Sequence, residues 1–203
     1  LKSLGLKGPA ERKTGLSVPP SYGLTAEKIL ESCGIRRGAT LIGIAPGATY
    51  GPAKKWYPER FAAVADRLMN DFPDSRVILF GSEADRESTG SVIKNAGHAM
   101  TDLAGRTNLK EAIALISQCS LYISNDSGLM HIAGALNIPT VAIFGSTNPL
   151  TTSPVGDHSL VIRKDVACSP CLKVTCPTDF RCMDLIDVND VYNAAAGMLA
   201  GMT

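Results

Sequence analysis

Thr40-Leu-Ile-Gly-Ile-Ala-Pro-Gly-Ala-Thr-Tyr-Gly-Pro-Ala-Lys-Lys-Trp-Tyr-Pro-Glu-Arg-Phe61 is the stretch on which the fold reading turns. Thr40–Ala45 is a short apolar run of the kind buried on both faces of a sheet. A glycine- and proline-rich loop follows. Phe61, Val64, Ala65, Leu68, Met69 and Phe72 then recur at i, i+3, i+4, i+7, i+8 and i+11, which is one face of a helix. Strand, loop, helix: this is the opening of a βαβ unit.

The alternation continues outward from there. Arg76–Gly81, Leu121–Ser124, Thr140–Phe144 and Leu160–Arg163 read as further strands. Asn108–Cys119 reads as an amphipathic helix, with Asn108 and Glu111 spaced for a capping box. Asp187–Leu199 reads as a closing helix capped by Asp187, and Ala26–Cys33 as a short helix that Gly34 stops. Continuous apolar strands alternating with helices predict a doubly wound α/β domain with a parallel, Rossmann-like sheet. Residues 1–24 hold repeated Gly and Pro and read as a linker or N-terminal extension, leaving 25–203 as the domain.

Composition narrows the function classes. The chain has 203 residues, 45% apolar and 19% charged, which suits one globular domain. Residues 1–60 carry ten Lys/Arg against four Asp/Glu, and residues 61–203 carry ten against fifteen. A net charge of +1 disfavours a general nucleic-acid binder. There is no run of about 20 apolar residues that would span a bilayer. The start, Leu1-Lys-Ser-Leu-Gly, has neither a signal-peptide core nor an initiator Met, and reads as a fragment or processed form. A cytoplasmic location is expected.

In doubly wound sheets ligands bind where strands end and loops lead into helices, so four loops matter. Gly47 and Gly51 permit tight turns beside Lys54 and Lys55, the chemistry of phosphate holding without a Walker A ending. A solvated loop with two surface lysines is the plain alternative. Ser124-Asn-Asp-Ser-Gly-Leu-Met-His131 starts a helix at Asp126 or Ser127. That places the N–H groups of Ser127, Gly128 and Leu129 at the positive end of its dipole, with His131 near the mouth. A capped core helix with one satisfied histidine is the alternative there. Glu83 or Asp85, after the second strand, could accept hydrogen bonds from a ribose, or could simply favour a helix start. Phe144-Gly-Ser-Thr-Asn-Pro149 is ordinary turn chemistry taken alone. Convergence of all four on one sheet edge is what favours a site.

Ala45–Trp56, Gly105-Arg-Thr107, Asn125-Asp-Ser-Gly-Leu-Met-His131 and Phe144–Pro149 together resemble the C-terminal half of the bacterial lipopolysaccharide heptosyltransferases, over about residues 38–163. The resemblance implies a GT-B enzyme of two Rossmann-like domains. The C-terminal one binds ADP-heptose; the N-terminal one binds the lipopolysaccharide core acceptor and supplies an Asp base. On this sequence it implies Lys54 at the diphosphate, Ala48 and Thr49 lining the pocket, and Asp85 at the ribose, with Glu83 still open. It also implies Thr107 beside the adenine, the Asp126 carboxylate at the donor, and Ser127 and Gly128 giving amides to phosphate, with His131 close behind. Asn148 departs from an Asp common in the family. Lys54 and the helix amides would stabilise the departing ADP, so no metal or other cofactor is required. A soluble enzyme at the inner face of the inner membrane is expected. The other function classes are a non-catalytic ADP or nucleotide-sugar module and a structural metal module. The second rests on Cys168, Cys171, Cys176 and Cys182, whose spacing could enclose zinc or an iron–sulfur cluster, with reduced thiols or disulfides as rivals.

Overall fold

A computed structural model describes residues 15–201. Its elements run α1 (Pro20–Ser32), β1 (Thr40–Ala45), α2 (Pro58–Asp71), β2 (Ser75–Leu79), α3 (Arg86–Asn95), β3 (Thr101–Asp102) and α4 (Leu109–Ile116). They continue with β4 (Leu121–Asn125), α5 (Gly128–Ala135), β5 (Thr140–Ile143), α6 (Pro149–Thr152), β6 (Ser159–Ile162), α7 (Arg181–Asp184) and α8 (Val188–Ala200). The six strands form one sheet in the order β3-β2-β1-β4-β5-β6, and every pairing is parallel. This is the doubly wound α/β fold expected from the alternation.

Period two along the strands divides the core. Ile42, Ile44, Val77, Leu79, Leu121, Ile123, Val141 and Ile143 face one layer, filled by α2, α8 and Val92 of α3. Leu41, Ala45, Ile78, Phe80 and Tyr122 face the other, filled by α1, α4 and α5. The central register, Ile42 opposite Val77 on one side and Leu121 on the other, keeps each set on its own face. Phe61, Ala62, Val64, Ala65 and Leu68 of α2 are all buried, as the helical spacing requires. Full burial of one such Phe stabilises by roughly 1.5–3 kcal/mol.

Caps fall where side-chain chemistry places them. Asn108 accepts from the Glu111 N–H at 3.0 Å while the Glu111 carboxylate accepts from the Asn108 N–H at 2.8 Å. Asp187 accepts from the Asp190 N–H at 2.9 Å. Gly34, at φ +71°, ends α1.

The linker expectation for 1–24 is corrected in part. Pro20–Leu24 belong to α1, which starts at Pro20 rather than Ala26, because Pro suits a first helical turn. Residues 1–14 of that expected linker lie outside the described residues. Just before the helix, the Leu16 N–H donates to the Ala135 carbonyl at 2.7 Å, tying this segment to the end of α5. Two elements had no sequence signal. β3 is a two-residue edge strand, too short for any period. Only Thr89 and Val92 of α3 are buried, too few to make a stripe. Among the described residues no helix is long and apolar enough to cross a membrane.

Candidate functional site

β1 and β4 lie side by side at the centre of the sheet, where the chain's winding reverses direction, and their carboxyl ends open a crevice. The loop after β1 is held at both ends by one side chain. Asn125, fully buried at the end of β4, donates to the Pro46 carbonyl at 2.8 Å and accepts from the Trp56 N–H at 3.0 Å. Trp56 is a packing anchor: its indole N–H reaches the Ile186 carbonyl at 3.0 Å and its ring meets Phe61 edge-on.

Between those ends a 3₁₀ turn, Pro52–Lys54, sets Lys54 against Asp126. The Lys54 ammonium donates to Asp126 Oδ2 at 2.6 Å, and the Thr147 hydroxyl donates to the same oxygen at 2.6 Å. The two charged side chains are only 13% and 5% exposed. The Tyr50 ring lies 4.8 Å from the ammonium. Lys55 takes a different course and donates to Ser88 Oγ at 3.2 Å.

At the end of β2 the Asp85 carboxylate is wedged between two glycines. A Cβ on Gly47 would fall 2.1 Å from Asp85 Oδ1, and one on Gly81 would fall 2.7 Å from Asp85 Cβ. Asp85 Oδ2 accepts from the Ser82 N–H at 2.9 Å and the Ser82 hydroxyl at 2.7 Å. Glu83 instead pairs with Arg86 on the surface at 2.8 Å. Of the two carboxylates left open by the sequence, Asp85 is the one built into the site.

The loop after β4 ends in Ser127, the N-cap of α5, whose hydroxyl accepts from the Met130 N–H at 3.4 Å. The N–H groups of Gly128 and Leu129 precede any intrahelical acceptor. Among the described residues, and apart from its chain neighbours and the α5 backbone, nothing lies within 4 Å of a Cβ built on Gly128. Gly134, by contrast, is crowded by Pro154 and Val155 after α6, so it serves close contact between the helix and that loop. Asn148 caps α6 through a hydrogen bond from the Leu150 N–H at 3.0 Å.

The loops after β1, β2, β3 and β4 surround a cavity of about 330 Å³, which the Phe144–Pro149 loop does not line, within the range of small-molecule sites. Ala48, Thr49, Asp85, Thr107, Ser127, Gly128 and Leu129, all singled out from sequence, line it together. Lys54 and Asp126 do not line it; Asp126 adjoins it through Ser127. His131 is exposed and outside the lining, because two residues along a helix turn it about 200° away from Leu129. Sequence reading missed Phe80, Ser82, Leu109, Ala112 and Ile132 in the wall, and Thr147 behind Asp126. Leu109 and Ala112 belonged to the recognised amphipathic helix, and its position at the crevice was not legible. A cavity of about 370 Å³ lies between α1 and the start of β1, at the wrong edge of the sheet for ligands of this fold.

Cys168, Cys171, Cys176 and Cys182 also come together, around a smaller cavity of about 160 Å³ that Ala53 and Ser146 help to line. All are free thiols in this structure. Among the described residues no three His, Cys, Asp or Glu side chains are placed to hold a metal ion. The four thiols thus share a cavity without the close set of ligands that the zinc or iron–sulfur expectation needs. Burial, and then the three neighbouring thiols, push the Cys182 thiol up. Hydrogen bonds from the Thr178 side chain and backbone pull the Cys176 thiol down. Burial pushes the Cys119 thiol up to about 12, so it is the least ready of the three to form thiolate. Timed alkylation read by peptide mass should label Cys176 far ahead of Cys182, and Cys119 last. Equal rates for Cys176 and Cys119 would contradict this order.

The description of glycosyltransferase family 9 (heptosyltransferase) matches residues 16–180. Lipooligosaccharide heptosyltransferase 2 of Haemophilus influenzae is 39% identical over 150 residues, covering 71% of this chain and 42% of that protein. The structure of Escherichia coli ADP-heptose lps heptosyltransferase II superposes with a TM-score of 0.82 at 28% identity, covering 98% of this chain and 57% of that one. The E. coli heptosyltransferase WaaC with ADP, at 19% identity and a TM-score of 0.63, shares the fold over 97% of this chain and 53% of its own. The chain thus spans about half the length of the relatives it matches.

Proposed function

Because this chain belongs to glycosyltransferase family 9, the heptosyltransferases, we propose that it is the donor-binding half of an enzyme that transfers heptose from ADP-heptose to the lipopolysaccharide inner core. The observation that carries this reading is the 330 Å³ cavity at the sheet's reversal point, closed by the loops after β1, β2 and β3, by α4 and by the amino end of α5. The ADP complex of WaaC makes ADP the natural occupant to test.

In this reading the diphosphate lies between Lys54 and the N–H groups of Ser127, Gly128 and Leu129. Helix-end amides suit a phosphate because they present donors and a positive dipole together. Asp85 serves the ribose, held in place by Ser82. The adenine lies by Thr107, against the apolar wall of Leu109, Ala112 and Ile132. As the glycosidic bond breaks, negative charge grows on the β-phosphate, and the ammonium and amides stabilise it without reorganising. The acceptor hydroxyl must lose a proton to a base, and we assign that base and the acceptor site to the part of the enzyme beyond this chain. For an acceptor of that kind we propose that the whole enzyme works in the cytoplasm, at the inner face of the inner membrane.

Isothermal titration of ADP into the 203-residue chain is expected to show saturable binding. Gly128→Val puts a side chain into space empty of protein and should weaken ADP about 10- to 150-fold, by displacing charge-assisted contacts to phosphate. Lys55→Ala, whose ammonium is at Ser88, should change affinity several-fold less. No ADP binding, or equal effects of the two substitutions, would overturn the placement.

A further inference from the structure

Thr147 is buried, 5% exposed, in the loop between β5 and α6. Its hydroxyl is committed to Asp126 Oδ2, the oxygen that also takes the Lys54 ammonium. We propose that Thr147 is a positioning residue for donor binding: it fixes the Asp126 carboxylate so that Lys54 is held for the diphosphate. The proposal rests on the donor-binding reading above.

A carboxylate turns through a broad torsion, so one hydrogen bond leaves its plane loosely set. A lysine stem is more mobile still and loses rotamer freedom when ordered. Two donors on one oxygen give the carboxylate a second fixed point. The ammonium has three N–H groups, and Asp126 takes one. When a diphosphate shares the ammonium, the Thr147 hydroxyl remains on Asp126 and keeps that buried carboxylate hydrogen-bonded.

The surroundings hold Thr147 in step with Lys54. The Leu172 N–H donates to the Ser146 carbonyl, next to Thr147, at 2.8 Å. On the other side, the Tyr50 hydroxyl donates to the Leu172 carbonyl at 2.8 Å, and the Ala53 N–H to the Val174 carbonyl at 3.0 Å. One segment, residues 172–174, therefore grips the loop that carries Lys54 and the loop that carries Thr147. Asn148 fixes the far end of the second loop by capping α6.

Two variants of the full chain test this. Thr147→Val keeps the shape and removes the hydroxyl; Thr147→Ser keeps the hydroxyl. ADP affinity should fall roughly tenfold in the first, as for loss of a hydrogen bond to a charged group, and stay within about twofold of the parent in the second. Adenosine, which has no diphosphate, should bind all three equally, whereas a general loosening of the fold would weaken it too. A ligand-free readout runs beside this: the ¹⁵N signal of the Lys54 ammonium should be retained in the parent and Thr147→Ser and broadened by exchange in Thr147→Val. An unchanged ammonium signal in Thr147→Val, or equal losses for ADP and adenosine, would overturn the proposal. Absence of ADP binding in the parent chain would overturn the donor-binding reading instead, and the ammonium signal would still decide the role of Thr147.

Discussion

Lys54→Ala should lower the unfolding free energy by about 3–5 kcal/mol, because it strands a buried carboxylate. Asp126 is 5% exposed and its ion pair with Lys54 closes to 2.6 Å. With the ammonium gone, the Thr147 hydroxyl is the hydrogen bond left to Oδ2. One neutral donor does not offset the desolvation of a charge. Urea unfolding followed by circular dichroism gives the number. The paired replacement Lys54→Met with Asp126→Leu removes both charges and should recover most of the loss, since apolar substitutes for a buried pair are often neutral. Binding separates the two roles of this pair: the double variant should be well folded and still fail to hold ADP tightly. A single variant within about 1 kcal/mol of the parent would mean that water reaches Asp126 freely.

Trp56→Ala is expected to cost a further and separate amount, about 3–5 kcal/mol, by the lost burial and the cavity left behind. The ring is 1% exposed. Its centroid is 5.1 Å from that of Phe61, with the planes 80° apart. Trp56→Phe should cost much less, about 1–2 kcal/mol, because the ring contact survives and one hydrogen bond is lost. The Ile186 carbonyl keeps a second donor in that variant, the Arg60 guanidinium at 2.6 Å. The midpoint of urea unfolding, read by circular dichroism, distinguishes the two substitutions. Equal effects would make the indole N–H, not the packing of the ring, the main contribution.

Much of this molecule was legible because its signals are local. Ile42 and Ile44, or Phe61, Val64 and Leu68, declare their element by spacing alone, since the period of a strand or helix is a property of a few neighbouring residues. Asn108, Asp187 and Gly34 mark helix ends through bonds or backbone angles within three or four residues. The alternation of these pieces is enough for a parallel sheet, and the sheet is enough to say that the loops after Ala45, Leu79 and Asn125 share an edge. β3 and α3 lacked that local information: the first is held by pairing to β2, the second by Val92 reaching a core made elsewhere.

The site divides along the same line. Which residue types stand at the strand ends can be read along the chain: the glycines, Lys54, Asp85, Asp126 and the Ser127 cap. What each of them does there depends on contacts made across the fold. Asp85 rather than Glu83 enters the wall because Gly47, 38 positions earlier in the chain, leaves space for its carboxylate. Lys54 meets a carboxylate 72 residues away and shares it with Thr147, 21 residues further on, which no short motif records. His131 turns outward for the opposite reason, since its place is set by the rotation of α5 against the sheet. The four cysteines gather round a common space through the folding of one loop, yet their spacing does not say how far apart the sulfurs come to rest. Elements follow from interactions between near neighbours along the chain, whereas a site follows from distances between loops, and those are set by how the sheet stacks its strands.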